Sequence, residues 1–229
     1  MSAQAVDEIM RHLQGLRTMQ AMAGVRGRKP GPPAGLTYAG VGDYVLDRHV
    51  PAPAPQALNA EQLDYLRMLA DGLGPLRAKV CFGNSMSLLE ADSSCEAEER
   101  LEYVEGFAVT GGFAVHHGWL LLDGALVDVT RSLRPEATQE FLDGRDPQED
   151  LADRVLGVVP DAWAYVGVPL PRDVVLAYTA EVSSIGSRID CYELRHDLLR
   201  QPRLNPAPDW EALTAPLRAL QELNLAGVD

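Results

Sequence analysis

Residues 103–130 read YVEGFAVTGGFAVHHGWLLLDGALVDVT, and this stretch decides the fold. Three runs rich in β-branched and aromatic residues, 103–110, 113–122 and 125–130, are separated by Gly111-Gly112 and Asp123-Gly124. Both dipeptides are two-residue hairpin signals, since primed turns require positive φ. The pattern predicts a three-stranded antiparallel meander. Two-residue turns also fix the register. Residue 110 then pairs with 113, so Gly106 faces His117; residue 122 pairs with 125, so Trp119 faces Asp128. Side chains alternate between faces. One face therefore carries Val104, Gly106, Ala108, Val115, His117, Trp119, Leu121, Leu126 and Asp128. The other carries Tyr103, Glu105, Phe107, Val109, His116, Leu120, Leu122, Val127 and Val129.

Working outward, Asn59 is expected to cap a helix over 59–72, with Gln62 as its capping-box partner and Leu63, Leu66, Met68 and Leu69 as its apolar face. Gly72 and Gly74 end it. A second helix is expected to start near Cys81 and run to about Glu90; residues 91–100 read as a loop or a short helix. Beyond the meander, 131–161 reads as an acidic surface excursion with two short helices. Residues 164–168 return as a strand, and 190–200 and 209–223 as helices opened by Asp190 and Asp209. Residues 35–58 read as irregular, with Pro51, Pro53 and Pro55 favouring an extended course. The fold class expected is α+β, an antiparallel meander packed against helices.

At the N-terminus, Ile9, Leu13, Leu16 and Met19 follow helical spacing over 5–23, but the stripe is thin. Residues 26–33, RGRKPGPP, form a linker. The expected organisation is a peripheral helical arm and linker over 1–33 and a single domain over 34–229. The arm would dock to a protein partner, self-associate or stay disordered, and its removal should leave a folded body.

The 229 residues carry a net charge of −13, with 46% hydrophobic and 23% charged residues. Such an acidic chain repels phosphate backbones, which argues against nucleic acid as a partner. The N-terminal 29 residues run against that trend at +3, leaving −16 on the remainder. No apolar run reaches the about 18 residues of a membrane helix, and no secretory leader pattern opens the chain. The expectation is a cytoplasmic protein without membrane association. Three widely spaced cysteines, Cys81, Cys95 and Cys191, form no CxxC pair and no disulfide framework. No metal site and no cofactor are expected.

His117 and Asp128 fall on one face as diagonal neighbours, within reach of a hydrogen bond, and Gly106 leaves an open space beside the imidazole. A carboxylate so placed fixes the orientation and tautomer of the ring, freeing its other nitrogen to deprotonate a nucleophile. Cys81 is the candidate nucleophile. At a helix start, free amides and the dipole favour its thiolate, and Lys79 is two residues away. The amide of Cys81 is a candidate oxyanion donor, and the side chain of Asn84 is a candidate second donor or a group that holds the histidine. Trp119 is a candidate pocket wall as well as a candidate core residue. His116 points to the other face with Glu105 as its diagonal neighbour, and that rival pair stands open on the arithmetic alone. Cys95 and Cys191 read as bystanders.

The order of a helix-start Cys81, then His117-Gly118-Trp119 and Asp128-Val129-Thr130 on successive strands, resembles the transglutaminase-like division of the papain-like cysteine-enzyme superfamily. It is also similar to the order in NlpC/P60-type peptidases and arylamine N-acetyltransferases. The phrase CFGNS…YVEGFA…HHGWLLLDGALVDVT is similar to uncharacterised bacterial and phage proteins. The resemblance covers about residues 78–132, and the separation of Cys81 from His117, 36 residues, is short. Two positions depart from the commoner His-Ala-Trp and Asp-Pro-Thr, namely Gly118 and Val129. The resemblance favours His117 over His116. It implies thiol acyl-enzyme chemistry on an amide, isopeptide or thioester, with Cys81 attacking, His117 moving the proton and Asp128 orienting His117. The alternative is a binding or structural protein that keeps the core with a degenerate pocket.

Overall fold

The computed structural model describes residues 2–23, 28–50, 52–73, 80–95, 99–110, 112–134, 150–181, 186–189 and 192–226. Lys79, Gly74, Gly111, Asp190, Cys191 and most of the acidic excursion, 135–149, lie outside the described residues. The elements are α1 (Ala3–Met22), α2 (Val41–Arg48), α3 (Ala60–Asp71), α4 (Cys81–Ser94), β1 (Leu101–Val109), β2 (Ala114–Leu122) and β3 (Ala125–Ser132). A 3-10 turn (Leu151–Asp153), β4 (Arg154–Leu156), β5 (Ala164–Leu170), α5 (Arg172–Glu181), α6 (Tyr192–Arg200) and α7 (Trp210–Ala226) follow. This is a mixed α/β chain. Among the described residues, one antiparallel sheet runs in the order β4-β3-β2-β1-β5.

The meander forms in the expected register. Gly106 lies opposite His117 and Phe107 opposite His116 along the whole β1–β2 ladder. The second turn has Asp123 at φ 50° and Gly124 at φ 82°, the positive pair that a primed turn demands. The β2–β3 ladder, however, is recorded only for Leu120–Leu122 against Ala125–Val127. On its other edge β3 continues, with Asp128 paired to Val155 of β4, and there the register shifts between Asp128 and Ser132. The extrapolated Trp119–Asp128 pairing is thus not part of the ladder; an irregularity in β3 bends it away from β2.

Two compact units divide the chain, Met1–Ile9 with His49–Cys191, and Met10–Arg48 with Tyr192–Asp229. In the first, the His117 face of the sheet builds a core of Val104, Ala108, Trp119, Leu126, Val155, Val159 and Tyr165. Helix α4 covers the opposite face, with the Phe82 ring 5.3 Å from His116 and Ser85 Oγ donating to the carbonyl of Gly118. Helix α3 carries the full capping box, Asn59 accepting from the amide of Gln62 at 2.9 Å and Gln62 Oε1 accepting from the amide of Asn59 at 3.0 Å. In the second unit, Arg203 grips Asp43 with both terminal nitrogens, and Tyr38 donates to Asp47 at 2.6 Å.

This division differs from a boundary at residue 33. Residues 34–48 group with the C-terminal helices, and they include α2, a helix where the proline-rich reading expected irregular chain. The α1 stripe is packed as well. Ile9 and Leu13 are fully buried and Ala5 and Ala21 nearly so, so these positions are covered and do not present a docking surface. The elements β4 and α5 had no counterpart in the sequence reading, and α4 runs four residues beyond Glu90.

Candidate functional site

Cys81 is the first residue of α4. Its position follows from the gap that β3 leaves beside β2. Below Leu120 the edge of β2 has no recorded β3 partner, and the N-terminal turn of α4 meets it there. The amide of Gly118 donates to Cys81. Three residues along α4, Asn84 Nδ2 donates to Thr130 Oγ1 at 3.0 Å, which ties the helix start to the far side of the gap. Cys81 thereby reaches His117 although Phe82, its neighbour, covers the other face.

His117 is hydrogen-bonded to Cys81, and its Nε2 lies 2.7 Å from Asp128 Oδ2. That leaves Nδ1 as the ring nitrogen that can serve the thiol. Asp128 is saturated. Its Oδ1 accepts from the amides of Thr130 at 2.9 Å and Arg131 at 3.2 Å, and its Oδ2 accepts from Tyr165 Oη at 2.9 Å besides holding His117. The bend in β3 makes this possible, because it turns two successive amides back onto the carboxylate.

The three groups are 9%, 2% and 1% exposed for Cys81, His117 and Asp128. Burial alone would neutralise them. For His117 burial works against the charge, yet the carboxylate of Asp128 and the bond to Cys81 outweigh it and raise the imidazole from 6.5 to about 9. For Cys81 burial pushes the thiol up, but His117 and the Gly118 amide hold it below its ordinary 9.0. Burial likewise opposes ionisation of Asp128, and His117, the Thr130 amide and Tyr165 hold it below the usual carboxylate range. The arrangement joins a thiol biased towards ionisation, an imidazole biased towards its protonated form and a buried carboxylate, the set that nucleophilic acyl transfer needs.

The other site candidates fall elsewhere. Trp119 is 3% exposed in the core, stacked along His117 at 6.3 Å between ring centroids, with its ring edge seated over Gly167. Asn84 is buried and engaged with Thr130. The open space expected beside Gly106 is filled: a Cβ there would stand 2.2 Å from the carbonyl oxygen of Val166, because β5 closes over it. Cys95 follows α4, half-buried, and Cys191 lies outside the described residues.

The rival pair also exists, on the opposite face. His116 Nε2 is 3.0 Å from Glu105 Oε1, with its ring stacked on Phe107 at 5.1 Å. Glu105 is wholly buried, and it accepts from Tyr103 Oη at 2.9 Å, the amides of Arg188 at 2.7 Å and Ile189 at 3.1 Å, and Ser187 Oγ. That makes it a hub pinning 187–189 to the sheet. The sequence reading did not find Tyr165 or the Gly118 amide. Tyr165 had a signal, as it alternates with Gly167 on a strand of small and branched residues, but its partner lies three strands away.

No helix among the described residues is long and apolar enough to cross a membrane. Among the same residues, no group of three or more histidine, cysteine or acidic side chains is disposed to hold a metal ion. Compared with protein-family models, with curated proteins and with solved structures, the chain matches none.

Proposed function

We propose that the chain is a cysteine-dependent hydrolase or acyltransferase on a transglutaminase-like core, acting on an amide, isopeptide or thioester. One observation carries the reading: a helix-start thiol hydrogen-bonded to a histidine whose Nε2 is 2.7 Å from a buried, saturated aspartate. In the proposed sequence the Cys81 thiolate adds to the carbonyl carbon, and the oxyanion takes a hydrogen bond from amides at the α4 start. Collapse of the adduct expels the amine or thiol, which takes the proton from His117, and leaves a thioester on Cys81. Water or an amine, deprotonated by His117, attacks the thioester and returns Cys81 to its starting state. Asp128 holds the ring throughout without changing protonation. The substrate class is peptide-like or acyl, and the free thiols of Cys81 and Cys95 fit the reducing cytoplasm proposed for it.

A second reading, a binding or structural protein on the same core, is favoured by the burial of all three groups. Incubation with an activated acyl ester, followed by intact-mass measurement, separates the two. The enzyme reading expects one acyl adduct, mapped to Cys81 and lost in Cys81→Ser and His117→Ala. No adduct on the wild-type protein, or an adduct indifferent to His117, sinks it.

A further inference from the structure

The oxygen that orients His117 is shared. Asp128 Oδ2 holds Nε2 of His117 at 2.7 Å and accepts the phenol of Tyr165 at 2.9 Å, while Oδ1 is occupied by the amides of Thr130 and Arg131. Tyr165 belongs to β5, and its side chain passes over the small residue opposite it, Ala108 of β1, to reach a carboxylate on β3. It is 1% exposed, with its ring 6.1 Å from that of His117 and 5.3 Å from that of Trp119. A phenol buried this way has one polar atom to satisfy, and here it is spent on the oxygen that serves the histidine.

We propose that Tyr165 is a positioning residue that competes with His117 for Asp128 Oδ2 and so tempers the carboxylate's hold on the imidazole. The inference rests on the proposed acyl-transfer reading, because it explains how a strongly held imidazolium is kept able to release its proton. A donor on a carboxylate draws off part of its charge and lowers its basicity. With four donors around it, Asp128 fixes the ring while exerting less than its full pull. Burial and the charge of Asp128 keep the phenol protonated well above its ordinary range, so Tyr165 stays a donor wherever His117 titrates. The charged and titratable groups around this dyad are Cys81 of α4 against His117, Arg131 of β3 acting on the phenol, and Arg154 of β4. Arg154 is bound to the carbonyl of Thr130, and Glu105 and His116 lie on the other face.

The test is the titration of His117 followed by NMR on histidine-labelled full-length protein, wild type against Tyr165→Phe. With the competitor gone, the His117 midpoint should rise by about 0.5–1 pH unit. A purely structural loosening would let Asp128 drift and bring the midpoint down; no change, or a fall, overturns the proposal. Should Tyr165→Phe fail to fold, replacing Tyr165 with 3-fluorotyrosine, a stronger donor, should lower the midpoint, and a rise there overturns it equally. Acyl-ester labelling of the wild type keeps the two claims apart. An adduct on Cys81 with an unmoved His117 rejects the role of Tyr165 alone. A shifted His117 without an adduct rejects the acyl-transfer reading and supports the tempering of the dyad.

Discussion

Gly118 lies so close to Phe82 that a Cβ on it would stand 2.8 Å from ring carbon Cδ1. The same atom would come within 2.9 Å of the Tyr103 hydroxyl. The aromatic residue after Cys81 thus occupies the space that an alanine methyl at position 118 would need.

Gly118→Ala is therefore an overpacking change, since its cost comes from displaced neighbours. We expect a loss of about 1–3 kcal/mol in urea unfolding. Phe82 must move, and Cys81 with it, so alkylation of Cys81 should slow several-fold. Normal stability and normal alkylation together would show that α4 yields freely at this point.

The two adjacent histidines should separate cleanly. His117→Ala removes the partner of Cys81 and should abolish acyl labelling. His116→Ala strips the stacking on Phe107 and the contact with Glu105, and should cost about 1–2 kcal/mol while sparing the thiol. Melting curves and labelling on both variants decide it, and an exchange of the two phenotypes contradicts the register argument.

Glu105→Ala should be among the most damaging single changes in the sheet. It strands two buried amides and two hydroxyls, for which we expect about 3–5 kcal/mol. Glu105→Gln, which keeps an acceptor, should lose less. Equal and small losses for both in urea unfolding would show that 187–189 is held by something else.

Stability should depend on pH through the pair. His117 is raised from 6.5 to about 9, so its contribution is complete below pH 6.5 and lost as pH rises through 9. Cys81 is shifted down from 9.0, so its contribution grows as pH rises and offsets that loss. In Cys81→Ser only the histidine's part remains, and urea midpoints should fall between pH 6 and 9. A flat profile in that variant would contradict the charge assigned to His117.

Sequence carried the local features well. Asp123-Gly124 imposes its turn whatever surrounds it, and Asn59 with Gln62 closes its capping box within one helical turn, so both were legible. The register of β1 on β2 followed from one turn length; the second turn put Asp128 on the face of His117, and the two do meet, although the β2–β3 ladder stops short of Asp128. What was hidden depends on distant partners. Tyr165 is a strand tyrosine until β5 is laid beside β1, and β4 is three residues long, too short for a periodic signal. The thin stripe of α1 read as a peripheral arm because Ile9 and Leu13 are few, yet both are fully buried. Ile9→Ala and Leu13→Ala should each lower stability by about 2–4 kcal/mol in urea unfolding, where a peripheral arm would lose almost nothing.

The central claim is that Cys81 is a thiolate nucleophile made by His117. It is tested most directly by the pH dependence of iodoacetamide alkylation, with peptide mapping of the three cysteines. The account predicts that Cys81 reacts fastest near neutral pH, with a midpoint below its ordinary 9.0 that moves up in His117→Ala. A Cys81 midpoint at or above 9.0, or faster labelling of Cys95 or Cys191, would contradict it.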